Sequence, residues 1–213
     1  MTSLPKTELR PEAIAFGPLE ITFDNRILRP RPWTVKQSRW ASRLLRELED
    51  GPVAELCAGA GQIGLLSVAE HDRDLVLVDS SEIACEYAAM NAQRAGMGDR
   101  VSVRHAWIDD AFDASERFAL ILADPPWVPS SHVSDFPEDP EFTIDGGPDG
   151  LDSARMCVAA MSRHLSDGGA ALLQLGSAIQ SSQLESWIRE QPDLGLSLKE
   201  ARNFEPGGVV LRC

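Results

Sequence analysis

Val53-Ala54-Glu55-Leu56-Cys57-Ala58-Gly59-Ala60-Gly61-Gln62-Ile63-Gly64 is a short apolar run that enters a turn of small residues just where a helical pattern begins. Such a turn lets the main chain approach a ligand closely. Outward from it, further short apolar runs lie at 75–78, 101–103, 118–123 and 170–175, separated by helical patterns over 62–69, 82–95 and 151–165. Five strands alternating with helices predict an α/β fold with a mostly parallel sheet, right-handed crossovers and helices on both faces. Toward the N-terminus, Phe16, Leu19, Ile21 and Phe23 alternate as in a strand or hairpin. Trp40, Leu44, Leu45 and Leu48 share one face of a helix expected over 38–50, which Gly51 would end. Toward the C-terminus a helix over 182–191 precedes two extended runs, 196–204 and 209–212, joined by Glu205-Pro206-Gly207-Gly208. These predict an antiparallel terminal hairpin and bring the sheet to seven strands.

At 213 residues the chain has room for one core. The expected organisation is a cap or lid segment over 1–37 and a main domain over 38–213. Composition, 43% hydrophobic and 25% charged, excludes disorder, collagen and coiled-coil arrays. Lys and Arg total 20 against 33 Asp and Glu, a formal charge of −13, so an extended nucleic acid is an unfavoured partner. The four cysteines stand far apart and the opening residues lack an apolar signal core, which points to the cytoplasm. No apolar run reaches the ~20 residues that span a bilayer, so no membrane association is expected.

Asp79 follows the second strand, 24 positions after Glu55, where a carboxylate accepts both hydroxyl hydrogens of a ribose. A pyrophosphate would require a G-x-G-x-x-G order and would be repelled by Glu55 at the entrance. A cationic nucleoside fits better: S-adenosylmethionine carries a sulfonium, an ammonium and a ribose, all matched by carboxylates. Nicotinamide binding is the second reading. At the end of the fourth strand stands Asp124-Pro125-Pro126-Trp127. Consecutive prolines force the chain out of the sheet in a rigid corner. The Asp124 carboxylate and the Pro125 carbonyl would each accept a hydrogen bond from a planar –NH2 group, with Trp127 against its face. Orientation of this kind supplies several of the ~7 to 11 kcal/mol available from near-attack alignment, without a covalent intermediate.

These residues resemble the class I S-adenosylmethionine-dependent methyltransferases, and within them the release-factor glutamine-N5 methyltransferases, over the stretch from about Leu28 onward. Pro30-Arg31-Pro32-Trp33-Thr34 is similar to that family's Pro-Arg-Pro-x-Thr segment and Asp124-Pro125-Pro126-Trp127 to its Asn-Pro-Pro-Tyr. Gly146-Gly147-Pro148-Asp149-Gly150-Leu151 is similar to its Gly-Gly-x-Asp-Gly-Leu, with Asn91-Ala92-Gln93 and Arg202-Asn203-Phe204 extending the likeness. The resemblance implies a Rossmann-like class I methyltransferase fold. It implies that Glu55, Cys57, Ala58, Gly59, Ala60 and Gly61 contact the methionine part of the cofactor, with Asp79 and Ser80 at the ribose, Trp107 walling the adenine and Asp124 close by. Asp124, Pro125, Pro126 and Trp127 would form the acceptor site, bordered by Arg31, Pro32, Thr34, Gly147 and Asp149. Three positions depart from the pattern. Cys57 stands for the first motif glycine, Asp124 for the usual Asn, and Ala106 for an acidic adenine contact, which leaves Asp109 or Asp110 as substitutes.

The expected function is methyl transfer from S-adenosylmethionine to a planar amino nitrogen, with a protein glutamine amide as leading acceptor by resemblance. Alternatives are a nucleobase or a small amine or amide metabolite, since Asp-Pro-Pro-Trp also occurs in adenine-N6 methyltransferases. From another class comes a non-catalytic S-adenosylmethionine-binding subunit. The residues ahead of the proline segment are too few for the helical domain with which the bacterial release-factor enzymes grip their substrate. Recognition is therefore expected to differ or to use a partner, such as an accessory subunit or a homodimer. His71, His105, His132 and His164 show no ligand spacing, so no metal is expected. The loop over 129–148 is long and acidic, as suits a mobile lid or contact with a basic partner, and His132 in it reads as exposed to solvent. Trp33 and Trp40 read as packing residues.

Overall fold

The computed structural model describes residues 11–204 and 208–213. A hairpin of β1 (Glu12–Phe16) and β2 (Leu19–Phe23) precedes α1 (Val35–Leu44). The alternating part follows as β3 (Val53–Leu56), α2 (Gln62–Val68), β4 (Leu75–Asp79), α3 (Glu82–Arg94), β5 (Val101–His105) and β6 (Phe118–Ala123). The chain continues through α4 (Asp152–His164), β7 (Leu165–Leu175), α5 (Ala178–Arg189), β8 (Glu200–Asn203) and β9 (Val209–Arg212). Seven strands form one sheet in the order β5-β4-β3-β6-β7-β9-β8. β3 to β7 are parallel, and β9 is antiparallel to both β7 and β8. The expected terminal hairpin is thus present, while residues 205–207 of its turn lie outside the described residues.

Alternation along the buried strands divides the core. Val53, Leu75, Leu77, Leu120 and Leu122 face α1, α2, α3 and the hairpin, whereas Ala54, Leu56, Val76, Val78 and Ile121 face α4 and α5. The N-terminal hairpin is built into the first of these layers rather than set apart as a cap. Phe16, Ile21 and Phe23 are buried, and the Asn91 amide on α3 pairs with both the N–H and the carbonyl of Thr22 at 2.9 Å. The Tyr87 hydroxyl donates to Asp24 at 2.8 Å beside it.

The first helix starts and ends earlier than expected. Pro32 to Thr34 form a 3-10 turn that runs directly into α1 at Val35, so the boundary at residue 37 lies inside its first turn. Beyond Leu44 the chain closes around the buried Arg73 guanidinium, which takes the carbonyls of Leu45, Leu48, Glu49 and Gly51. The fifth helix begins early because the Ser177 side chain accepts the Gln180 N–H at 3.2 Å, an N-cap that apolar periodicity does not reveal.

Asn91 ties three segments, since its amide also donates to the Ala60 carbonyl of the glycine-rich turn at 3.0 Å. Replacing it leaves buried partners unpaired. Asn91→Ala is expected to lower unfolding stability by on the order of 2 to 3 kcal/mol, measured by urea denaturation. A loss within experimental error would show that the hairpin docks by apolar contact alone.

Candidate active site

The sheet order reverses between β3 and β6, neighbours whose last paired residues are Leu56 and Ala123. In open α/β sheets the crevice for a ligand lies beyond the strand ends at such a switch. The turn after β3 and the corner after β6, 67 residues apart in sequence from Cys57 to Asp124, therefore open side by side.

On the β3 side the turn is held by backbone bonds and by one carboxylate. Ala58 donates to the Val78 carbonyl at 3.0 Å and Gly61 to the Ala58 carbonyl at 2.8 Å. Asp79 accepts the Gly59 N–H at 2.8 Å on one oxygen and the Ser81 N–H at 2.9 Å on the other. Gly61 has φ +78°, and a Cβ there would lie 2.8 Å from the Leu77 side chain, so glycine is required. Cys57 takes the left-handed conformation with φ +56°, where glycine costs least.

On the β6 side the Asp-Pro-Pro-Trp corner is buttressed from three directions. Gln180 donates to the Trp127 carbonyl at 2.7 Å, and the Trp127 ring lies so close to Gly176 that any Cβ would overlap it. Val128 exchanges bonds with the 144–146 backbone, donating to Ile144 at 2.9 Å and accepting from Gly146 at 2.8 Å. Gln37, buried on α1, donates to the carbonyl of Ala123 at 3.1 Å.

Two cavities meet at this crevice. One of about 280 Å³ is lined by Cys57, Gly59, Asp79, Ser80, Ala106, Trp107 and Asp124, with Gln62, Phe142 and Met156 among its other walls. The other, about 170 Å³, is lined by Trp33, Asp124, Pro125, Pro126, Trp127, Phe136 and Asp139. Leu28, Arg31, Asp124, Pro126 and Thr143 border both. Asp124 thus stands in the shared wall, and among the described residues its carboxylate accepts no hydrogen bond.

Several residues expected at the site lie elsewhere. Glu55 faces the α2 side of the sheet, 1% exposed, and accepts the Gly64 N–H at 2.8 Å instead of reaching the cavity. The reason is strand alternation: residue 55 shares the face of Val53, and a Cβ at Gly64 would fall 2.6 Å from its carboxylate. Ala58, Ala60 and Gly61 shape the turn from behind. Pro32 and Thr34 border neither cavity; the buried Thr34 hydroxyl donates to the Arg31 carbonyl at 2.8 Å. Gly147 and Asp149 also stand back, Asp149 pairing with Arg155 at 2.6 Å and accepting the Leu151 N–H. Asp109 and Asp110 do not line the larger cavity, where Ala106, Ile108 and a 69% exposed Trp107 offer an apolar wall. Trp33, read as packing, lines the smaller cavity, and its place inside the Pro30 to Thr34 segment was the available signal. His132 is exposed and 3.1 Å from Asp135.

The sheet order and the crevice at its switch point are those of the class I methyltransferase fold. Residues 38–136 match the methyltransferase small domain family. Ribosomal protein L11 methylase from Lactobacillus delbrueckii subsp. bulgaricus shares the fold, with a TM-score of 0.65 over 88% of this chain and 80% of that one at 12% identity. In sequence the chain is similar to glutamine methyltransferases. The release factor glutamine methyltransferase of Mycolicibacterium smegmatis is 30% identical over 184 residues, 83% of this chain and 63% of that protein. The ribosomal protein uL3 glutamine methyltransferase of Burkholderia pseudomallei is 30% identical over 142 residues, 60% of this chain and 45% of that protein. The chain spans less than two thirds of the length of either relative.

Burial raises the carboxyls of Glu55, Asp79 and Asp124 above the ordinary range, Asp124 to about 7 with the Arg31 charge pulling it part of the way back. Each of these groups holds its proton more tightly in the fold than in the unfolded chain. The stability they contribute is complete below the unfolded carboxyl values and is lost as pH rises through the folded ones. His71, lowered by burial, acts in the opposite sense. Asp124→Asn should isolate the carboxyl effect. Between about pH 5 and about pH 8 the ligand-free protein is expected to lose at least ~1 kcal/mol more than this variant does in urea unfolding. Parallel pH profiles for the two proteins would contradict the assignment.

Proposed function

We propose that this protein transfers a methyl group from S-adenosylmethionine to a planar amide nitrogen, with the side-chain amide of a protein glutamine as acceptor. The reading is carried by one observation, a half-buried carboxylate that accepts no hydrogen bond from the described residues, in the wall common to two cavities. The larger cavity suits the cofactor in its donor set. Asp79 offers a carboxylate at the end of β4 for a ribose, Trp107 an open aromatic face for an adenine, and Gly59 a backbone with no atom within 4 Å of where a Cβ would project. When bound, S-adenosylmethionine supplies an electrophilic methyl group on a sulfonium.

The smaller cavity orients the nucleophile. An amide nitrogen is weak because its lone pair is delocalised, so fixing both of its hydrogens favours the geometry that attacks. Asp124 and the Pro125 carbonyl are the acceptors the corner offers, since Gln180 occupies the carbonyl of Trp127. Ionised, the Asp124 carboxylate accepts only, so it orients the amide without competing for its lone pair. Trp33, Trp127 and Phe136 give the cavity aromatic walls against which a flat group packs. The choice of glutamine over another flat nitrogen is supported by the relatives named as release factor and ribosomal protein glutamine methyltransferases. The compartment is read as the cytoplasm, where the four free cysteines stay reduced. No helix among the described residues is long and apolar enough to cross a membrane.

Radiolabelled methyl transfer into a fractionated cell extract tests the acceptor. Label is expected in protein, released as methylamine on acid hydrolysis as an N-methyl amide requires, and label confined to nucleic acid or small molecules would refute the glutamine reading. Asp124→Ala is expected to cut transfer by roughly 10²- to 10⁴-fold while cofactor affinity, by calorimetry, changes only a few-fold.

A further inference from the structure

Arg31 borders both cavities, as Asp124 does. Prolines at 30 and 32 restrict the backbone on either side of it. Its guanidinium pairs with Asp139 of the 129–148 loop and lies 5.7 Å from the centroid of the Trp33 ring. The Asp139 side chain is only 5% exposed, so the pair is shielded from solvent screening. Among the described residues, the other titratable groups bearing on Asp124 near the crevice floor are acidic or neutral: Glu55 on β3, Asp79 at the end of β4, and the Cys57 thiol between them. Farther out, Glu138 lines the smaller cavity, and Asp145 and Arg29 line the larger. Arg31 is therefore the cation set against a half-buried carboxylate that no hydrogen bond among the described residues stabilises.

We propose that Arg31 is a positioning residue that keeps Asp124 charged for amide recognition, and that Asp139, by pairing with Arg31, sets how much of that charge Asp124 feels. The inference rests on the proposed role of Asp124 as acceptor of the amide hydrogens. A protonated carboxyl turns one oxygen into a donor and loses its grip on an –NH2 group, so the charge state of Asp124 decides whether the substrate is aligned. Because Asp139 belongs to the loop over the acceptor cavity, that loop reaches the reacting group through one ion pair.

The two partners are expected to act in opposite directions. Removing the cation raises the pH at which Asp124 ionises, and removing the loop carboxylate lowers it. The test is the pH profile of kcat/KM for the acceptor, alongside titration of the Asp124 carboxyl by carbon-13 NMR in protein without acceptor. Arg31→Gln is expected to move the rising limb up by ~0.5 pH unit or more, Asp139→Asn to move it down, and Arg31→Lys to restore it toward the unsubstituted protein. Asp139→Asn is nearly isosteric and carries the test alone if Arg31→Gln fails to fold. Limbs and titrations that do not move, or that move in the same direction, overturn the proposal. Opposed shifts in the NMR titration without methyl transfer to any amide would sustain the link from Arg31 to Asp124 and remove the proposed reaction instead.

Discussion

β3 and β6 pair in parallel with Leu56 opposite Ala123, and this register places a glycine-rich turn beside a proline-stiffened corner. The crossover that sends β4 and β5 to one side and returns β6 to the other leaves a crevice where neither neighbouring loop covers the strand ends. Both lips of the crevice are rigid for different reasons. The turn is tied by Asp79, Asn91 and its own backbone, and the corner by its prolines and by Gln180. On the proposed reading, a cofactor and an acceptor held by these lips would meet at Asp124.

The carboxylates of this region divide their work by face. Glu55, one residue before the end of β3, is sealed beneath α2 and anchors Gly64 of that helix, so its burial serves the turn from below. Asp79, at the end of β4, both holds the turn and faces the larger cavity. Asp124, just past β6, faces both cavities and receives no hydrogen bond from the described residues. Burial raises all three, but only Asp124 lacks a compensating hydrogen bond, and Arg31 answers it by charge alone.

Much of the architecture was legible because buried parallel strands are short apolar runs, and periodicity located each of 53–56, 75–78, 101–103 and 118–123 close to its observed limits. Helix ends were less legible where polar contacts decide them, as Arg73 does after α1 and Ser177 does before α5. Asp79 and Asp124 stood out by their places at or just after strand ends, and Trp107 by the resemblance alone; all three line the larger cavity. Glu55 was misplaced because a motif letter does not tell which face of the strand it takes. Gly147 and Asp149 were placed at the entrance only by the resemblance of their segment to the family's, and the structure turns them toward α4 and Arg155.

By itself the sequence determined the strand and helix periods, the small residues that permit a tight turn, and the prolines that end β6, since all of these act within a few residues of chain. Only the tertiary structure decided that Trp33 walls the smaller cavity, that Gln180 fixes the corner, and that Asp139 meets Arg31 across 108 positions of sequence. Those contacts join segments whose approach is set by sheet order and crossover. Pairwise distance across a fold leaves no mark in local composition.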